Sequence, residues 1–179
     1  MRVLVRMTVK FTTPVRRVTP PHVADERQAL SAWLDYHRAT LLGKLEGLDD
    51  EQLRRPMVPS GVCLLGLVKH LTAVEHGWFV VNLARSGESH LFVRPDGSEA
   101  DFVVGEDETT ASVVPGYLRA CARSREVVAQ AGSLDQTVPH PRAGEMDLRW
   151  LLVHMVEETA RHNGHADVIR ELLDGTTGD

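Results

Sequence analysis

A carboxylate and an imidazole stand at helical spacing near the end of the chain, where Glu158 precedes His162 by four residues. Residues four apart lie one turn apart on the same side of a helix, close enough to bind one ion. His70 lies much earlier, between Leu67 and Val74 on an apolar stripe that must pack inward. Two imidazoles and one carboxylate converging from two helices would form a three-ligand metal site that keeps one coordination position open.

Each of these residues also has a purely structural interpretation. A lone histidine on an apolar stripe is more often a hydrogen-bonded core residue, and this holds for His70 taken alone. Glu158 alone would fit an exposed position, with Arg149 or Arg161 as a loose partner. Spacing by itself does not decide between the interpretations. A carboxylate buried among apolar side chains costs several kcal/mol unless a cation or good hydrogen bonds compensate, so the three residues together favour a divalent metal.

Apolar periodicity predicts four long helices that could position these residues. They cover residues 25–47, about 62–86, 109–131 and about 147–173. Asp25, in a capping box, and Asp147 mark the starts of the first and fourth helices. The segments 87–107 and 132–146 carry no periodicity. The first is expected to be a long crossover, with a small hairpin around its Arg94–Gly97 turn as the alternative. With strand content near nil, the predicted fold is an all-α four-helix bundle.

The first 21 residues differ from the rest in composition. Met1–Pro21 contains five basic residues, no acidic residue and three prolines. We expect a flexible basic tail there, with a short strand over Val3–Phe11 as the alternative, ahead of a bundle domain over residues 22–175. The segment lacks the apolar stretch of a secretory signal, which favours a cytoplasmic setting.

Composition argues against several classes of protein. A chain of 179 residues has the size of one domain. Its net charge of −5 argues against a general nucleic-acid-binding protein. No stretch approaches the roughly 18 consecutive apolar residues of a membrane-spanning helix. Cys63 and Cys121 are the only cysteines, which rules out a disulfide framework and a Cys-x-x-Cys zinc knuckle. The expected partner is a small-molecule substrate.

Two segments carry a resemblance to a known family. Residues 64–71, Leu-Leu-Gly-Leu-Val-Lys-His-Leu, and residues 158–167, Glu-Thr-Ala-Arg-His-Asn-Gly-His-Ala-Asp, resemble the DinB superfamily of metal-binding four-helix proteins. Over residues 25–173 the chain is similar to the branch related to mycothiol-dependent maleylpyruvate isomerase. The resemblance implies an up-up-down-down bundle, frequently dimeric, that holds a divalent metal, zinc or nickel in many members. It also implies the ligands, which are His70, Glu158 and His162. Many members have a histidine at the position of the glutamate, but the isomerase branch has a glutamate there.

The same resemblance implies an activity. Several members of the superfamily are similar to S-transferases that use a low-molecular-weight thiol such as mycothiol or bacillithiol. A metal with an open position would bind the sulfur and hold the thiol as the nucleophilic thiolate. The chain is therefore expected to be a metal-dependent thiol S-transferase acting on small electrophiles. A metal-activated hydrolase and a non-catalytic stress protein that binds a metal or a small molecule are the alternatives. The isomerase carries a further C-terminal domain, so isomerisation of maleylpyruvate itself is not expected.

Two further histidines on the fourth helix could support the site. His154 lies one turn before the predicted ligands and His165 one turn after them. Either could orient a ligand or act as an acid or base, and for His154 a packing role is the alternative. Trp33 and Trp78 are interpreted as core residues and not as a wall of the substrate site.

Overall fold

Five α-helices and one π-helical segment make up just over half of the described structure. The computed structural model describes residues 9–142 and 144–178. The helices are α1 (Glu26–Gly43), α2 (Asp50–Leu53), α3 (Leu64–Glu75), α4 (Thr110–Gln130) and α5 (Leu148–Asp174), and α3 continues directly into a π-helical segment, His76–Leu83. Over these residues the chain is mostly helical with one two-stranded sheet, which is compatible with the predicted all-α class. None of the described helices is long and apolar enough to cross a membrane.

The first and last long helices begin at the predicted capping residues. Asp25 accepts a hydrogen bond from the backbone N–H of Gln28 at 2.8 Å, and Asp147 accepts one from that of Trp150 at 2.7 Å. These carboxylates satisfy N–H groups that the first helical turn leaves without an intrahelical partner. Helix α1 ends at Gly43, a few residues before the predicted end, because the backbone after it pairs with the N-terminal segment.

A short β-hairpin occupies part of the segment predicted to be irregular. The strands β1 (Thr137–Pro139) and β2 (Glu145–Asp147) pair antiparallel, with Val138 opposite Met146. The prediction for residues 132–146 is wrong here, because a strand of three residues is too short for an alternating pattern to be recognised. Val138 and Met146 are both buried against the helices, so the hairpin is held by burial of one of its faces.

The segment between the π-helical segment and α4, residues 84–109, is called here the long link. It is irregular, as predicted. It contains an isolated bridge between Val93 and Glu99, across the turn at Arg94–Gly97. Further along, the backbone of Phe102 comes very close to α3: a Cβ placed on Gly66 would lie 2.7 Å from the Phe102 carbonyl oxygen. The link is therefore pressed against α3 at a point where only a glycine leaves room for it.

Residues 9–21 of the N-terminal segment lie against the helices. Phe11 donates a backbone hydrogen bond to the carbonyl of Leu48 at 2.7 Å and accepts one from Gly47 at 2.9 Å. Its side chain packs against the core. Residues 1–8, with most of the alternative strand, lie outside the described residues. The boundary between a basic tail and a bundle domain stays a prediction.

Two clusters of buried apolar side chains fill the interior, with a polar layer between them. The first cluster joins the C-terminal half of α1 to α3, α4 and α5, and the second joins α1 and the π-helical segment to the start of α5 and the hairpin. Along α5 the second cluster ends at Val156 and the first resumes at Ala166. The buried polar residues at this level, called here the polar layer, are Arg38, Thr72, Glu75, Thr159, His162 and Asn163.

Within the polar layer, Arg38 and Glu75 form an ion pair that connects α1 to α3. The guanidinium donates to both carboxylate oxygens, Nε at 2.7 Å and Nη2 at 2.6 Å, and the two side chains are only 5% and 1% exposed. Burial alone would lower the pKa of Arg38, but the Glu75 carboxylate raises it, so the guanidinium stays charged. Asp35 accepts a further Arg38 N–H at 2.8 Å. Each buried charge is thus compensated by groups of the protein itself.

We expect Arg38→Met to destabilise the fold by roughly 3–5 kcal/mol, because it leaves the Glu75 carboxylate buried without its cation. Urea unfolding followed by circular dichroism measures the loss. The double variant Arg38→Met/Glu75→Leu, which removes both charges, should recover most of it. Arg55→Met removes an exposed pair with Glu51 and should change stability by less than about 1 kcal/mol. Equal stability of Arg38→Met and the wild type would contradict the expectation.

Candidate metal centre

The structure brings the three residues predicted as ligands together. His70 lies on α3, and Glu158 and His162 lie on α5. One ligand atom from each falls within 4.8 Å of the other two. Both imidazoles turn their Nε2 atoms to the same carboxylate oxygen, Oε1 of Glu158, at 3.5 Å from His70 and 3.2 Å from His162. This convergence is the arrangement that one bound ion requires of three side chains.

The cluster is shielded but accessible. The side chains of His70, Glu158 and His162 are 13%, 20% and 9% exposed. The ligand atoms are therefore largely withdrawn from water, which strengthens their electrostatic interactions. The remaining exposure is largest at Glu158, so the carboxylate is the part of the cluster most open to solvent.

Asp101 and Phe102, from the long link, hold the ring of His70. The Nδ1 atom of His70 donates to Asp101 Oδ2 at 2.8 Å, since a carboxylate can only accept. The Phe102 ring stacks on the imidazole at a centroid distance of 4.0 Å and an interplanar angle of 14°. With the hydrogen fixed on Nδ1, the lone pair of a neutral His70 lies on Nε2 and faces Glu158. A carboxylate behind a histidine is the usual support for a metal-ligating imidazole.

His165 supports His162 from the other side. The Nδ1 atoms of the two rings are 3.3 Å apart, so one of them must carry the hydrogen that the other accepts. When His162 is neutral and keeps its hydrogen on Nδ1, its Nε2 atom can offer a lone pair on the side of Glu158. The structure thus places the ring of His165 against that of His162, and the supporting role of His165 stays a prediction.

Hydrogen bonds control the charge of the cluster. Those from His162 and His70 hold the pKa of Glu158 well below its usual range, although burial acts in the opposite direction. Burial would lower the pKa of His70, but its hydrogen bonds to Glu158 and Asp101 outweigh burial and raise it. The carboxylate of Glu158 is therefore ionised throughout the neutral pH range, as a metal ligand must be.

His154 lies in different surroundings from His165. Its ring stacks on Trp150 at 5.1 Å, with an interplanar angle of 18°, and meets the edge of Trp78 at 4.7 Å. Burial lowers the pKa of His154, with Glu158 acting in the opposite direction, so its imidazole is neutral at physiological pH. The structure places it among aromatic rings, one helical turn from the cluster.

The prediction that Trp33 is a core residue is wrong. Its side chain is 47% exposed and stacks on its helical neighbour His37. The apolar stripe shows which face of a helix is buried, but it does not show how far around the helix the buried face extends. An aromatic residue at the margin of that face remains partly exposed to solvent. Trp78 is partly buried and packs against the second apolar cluster, so the packing part of its prediction is confirmed.

Two residues that shape the site were missed in the sequence. Asp101 lies in a segment without periodicity, where a single acidic residue has no pattern to mark it. Gly66 carried a weak signal, because a glycine inside a helix costs about 1 kcal/mol relative to alanine and often marks a close approach. It lies one turn before His70, and its missing side chain admits the backbone of Phe102.

The cluster does not coincide with the cavity of about 410 Å³ that lies between α1, α4 and the N-terminal segment. That cavity is lined by residues such as Val15, Tyr36 and Leu118, and it includes none of the three clustered side chains. The functional assignment of the cluster therefore depends on its donor atoms and not on cavity volume.

Comparison with known proteins gives one family. A family model described as Mycothiol-S-transferase matches residues 29–175. The match includes both helices that carry the cluster and the long link that carries Asp101. No curated protein shows significant similarity to the chain.

We expect His162→Ala to abolish stoichiometric binding of a divalent metal and Asp101→Asn to weaken it ten- to hundredfold. The amide oxygen of the second variant would still accept the hydrogen bond of His70, but the negative charge that makes the imidazole more basic would be gone. Titration calorimetry with Zn²⁺ measures both effects. His90→Ala, which changes an exposed histidine of the long link, serves as the control and should bind as the wild type does. Undiminished binding by His162→Ala would contradict the assignment of the cluster.

We expect Gly66→Ala to weaken metal binding without touching any ligand. Its Cβ would lie 2.7 Å from the Phe102 carbonyl oxygen, so the backbone that carries Asp101 must move away from His70. Overpacking of this kind costs roughly 1–3 kcal/mol of stability. Gly43→Ala is the matched helical control, because nothing lies within 4 Å of its added Cβ. Thermal unfolding and Zn²⁺ calorimetry of both variants test this, and identical behaviour of the two would show that the close approach is unimportant.

Proposed function

The chain belongs to the mycothiol-S-transferase family, part of the DinB/YfiT-like superfamily, and we propose that it is a divalent-metal-dependent enzyme that transfers a low-molecular-weight thiol to small electrophiles. Mycothiol is the thiol that the family description names, and bacillithiol is the alternative. The observation that carries the proposal is the convergence of His70, Glu158 and His162, with ligand atoms within 4.8 Å of one another.

The donor set supports a transition metal. Two imidazole nitrogens and one carboxylate oxygen suit zinc and nickel, whereas calcium and magnesium prefer oxygen ligands alone. Three protein ligands also leave a coordination position for a small molecule. A divalent metal bound there would supply Lewis acidity that lowers the pKa of a thiol in that position. The up-up-down-down topology and the homodimer implied by the family resemblance belong to the same proposal.

The chain's own residues prepare this donor set. Asp101 keeps the hydrogen of His70 on Nδ1, at 2.8 Å, so that Nε2 offers a lone pair. His165 does the same for His162 through the contact between their Nδ1 atoms, at 3.3 Å. Glu158 supplies the negative charge. Because the rings have these orientations before a metal arrives, little movement of the side chains is needed on metal binding.

In the proposed reaction the sulfur of the thiol forms a bond to the electrophilic carbon. The bond from that carbon to its leaving group breaks, and the leaving group departs with the electron pair. The thiol proton passes to a base. We assign this role to His154, which is neutral and lies one turn from Glu158, while His165 accepts the Nδ1 hydrogen of His162 and so orients its ring. The two histidines thus have separate roles in the proposed reaction.

The test is conjugation of a thiol to an electrophile. We expect zinc-loaded protein to accelerate formation of the thioether from mycothiol and iodoacetamide, and His162→Ala to lose at least about 100-fold of that acceleration. The His90→Ala variant should retain full activity. Product formation followed by mass spectrometry distinguishes the thioether from hydrolysed iodoacetamide.

The other outcomes identify the alternative functions. Hydrolysis of the electrophile without any thiol would support a metal-activated hydrolase. Stoichiometric zinc with no turnover of mycothiol or bacillithiol would support a binding protein. Either result would overturn the transferase proposal.

A further inference from the structure

Four aromatic side chains form a continuous group beside the metal cluster. They come from three elements: Trp78 from the π-helical segment, His140 from the turn after β1, and Trp150 and His154 from α5. Their ring centroids are 4.7–5.8 Å apart from neighbour to neighbour. We call this group the aromatic platform. The assignment of ligands uses none of its members, and the proposed reaction uses only the base His154.

The platform is partly open to solvent. Trp150 is 44% exposed, and the other three rings are half-buried. A cavity of about 370 Å³ lies beside it, lined by Trp150 and His140 together with residues of β2. Ligand pockets typically begin at about 300 Å³, so this space is large enough for one substituted benzene ring.

The platform lies next to the metal cluster on both helices. On α5, Glu158 follows His154 by four residues and Trp150 by eight, rises of about 6 and 12 Å along the helix. On the other helix, Trp78 follows His70 by eight residues, and both side chains meet α5, Trp78 at His154 and His70 at Glu158. In a continuous α-helix Trp78 would be turned roughly 80° away from His70. The wider turn of the π-helical segment rotates it back toward the same face.

The electron-rich rings of the platform favour a planar, electron-poor aromatic ligand. The indole rings present electron-rich faces, which stack best on an electron-poor aromatic ring. The carboxylates of Glu145 and Asp147 line the adjoining cavity and repel an anion. A neutral, electron-poor aromatic molecule fits both constraints, and a nitroaromatic compound is the simplest example.

We propose that the aromatic platform binds the aromatic part of the electrophile and presents it to the thiol at the neighbouring metal cluster. This assignment of substrate class rests on the proposed transferase function. It predicts a preference for aryl electrophiles over aliphatic ones, with Trp150 as the main determinant of that specificity.

Binding is tested first without any reaction, by equilibrium dialysis of the zinc-loaded protein with 1,3-dinitrobenzene, which has no leaving group. The wild type should bind it more tightly than nitrocyclohexane, which is similar in size but not planar. Trp150→Leu should weaken dinitrobenzene binding about three- to tenfold, and Trp150→Phe should weaken it less. Trp33→Leu is the matched control, since Trp33 is 47% exposed but has no ring contact with the platform.

Catalysis is tested second, with mycothiol and either 1-chloro-2,4-dinitrobenzene or iodoacetamide. Trp150→Leu should raise KM for the aryl chloride about three- to tenfold, with kcat little changed and turnover of iodoacetamide unchanged. If neither electrophile reacts but dinitrobenzene binding depends on Trp150, the transferase function fails and the platform stands as a binding site. If both electrophiles react at the same rates in the variant as in the wild type, the platform is overturned while the transferase function stands. If dinitrobenzene binding is absent or independent of Trp150, the platform is overturned whether or not either electrophile reacts.

Discussion

The position of one carboxylate, that of Glu158, links the packing of the helices to the chemistry of the site. Its Oε1 atom faces the Nε2 atoms of His162 and His70, at 3.2 and 3.5 Å. His162 is close because it follows on the same helix by one turn. His70 comes from another helix, so it reaches the oxygen only if α3 and α5 keep a fixed register. The apolar clusters above and below the polar layer set that register, which makes core packing a condition for the site.

The second condition for the site is the position of the long link between the π-helical segment and α4. It has little regular structure, yet it contributes the two groups that orient His70, namely Asp101 and Phe102. An irregular segment can position side chains well only if its backbone is anchored to a rigid element. Here the anchor is the contact of the Phe102 carbonyl with α3, which Gly66 makes possible. Gly66, a residue without a side chain one turn from His70, thereby determines how that imidazole is held.

The sequence predicted the candidate residues of the site where these residues lie at helical spacing. The spacing of Glu158 and His162, and the place of His70 on an apolar stripe, predicted three residues that the structure does bring together. The capping carboxylates predicted where α1 and α5 begin. Contacts made by segments that lack a periodic pattern of apolar residues could not be predicted. Asp101 reaches His70 through tertiary packing, and the β-hairpin is held by the burial of two residues that carry no recognisable pattern.

A comparison of charge separates the ion pair of Arg38 and Glu75 from the candidate metal centre. Arg38 and Glu75 cancel each other's charge, so that pair needs nothing from outside the chain. The candidate centre contains two carboxylates, those of Glu158 and Asp101, with two imidazoles. When both imidazoles are neutral, as metal ligands must be, the group carries two negative charges in a shielded position. One divalent cation would balance that charge, whereas in its absence both Nε2 atoms carry the hydrogen that they donate to Glu158. In the proposed metal centre, a metal and protons would therefore compete for the same nitrogen atoms.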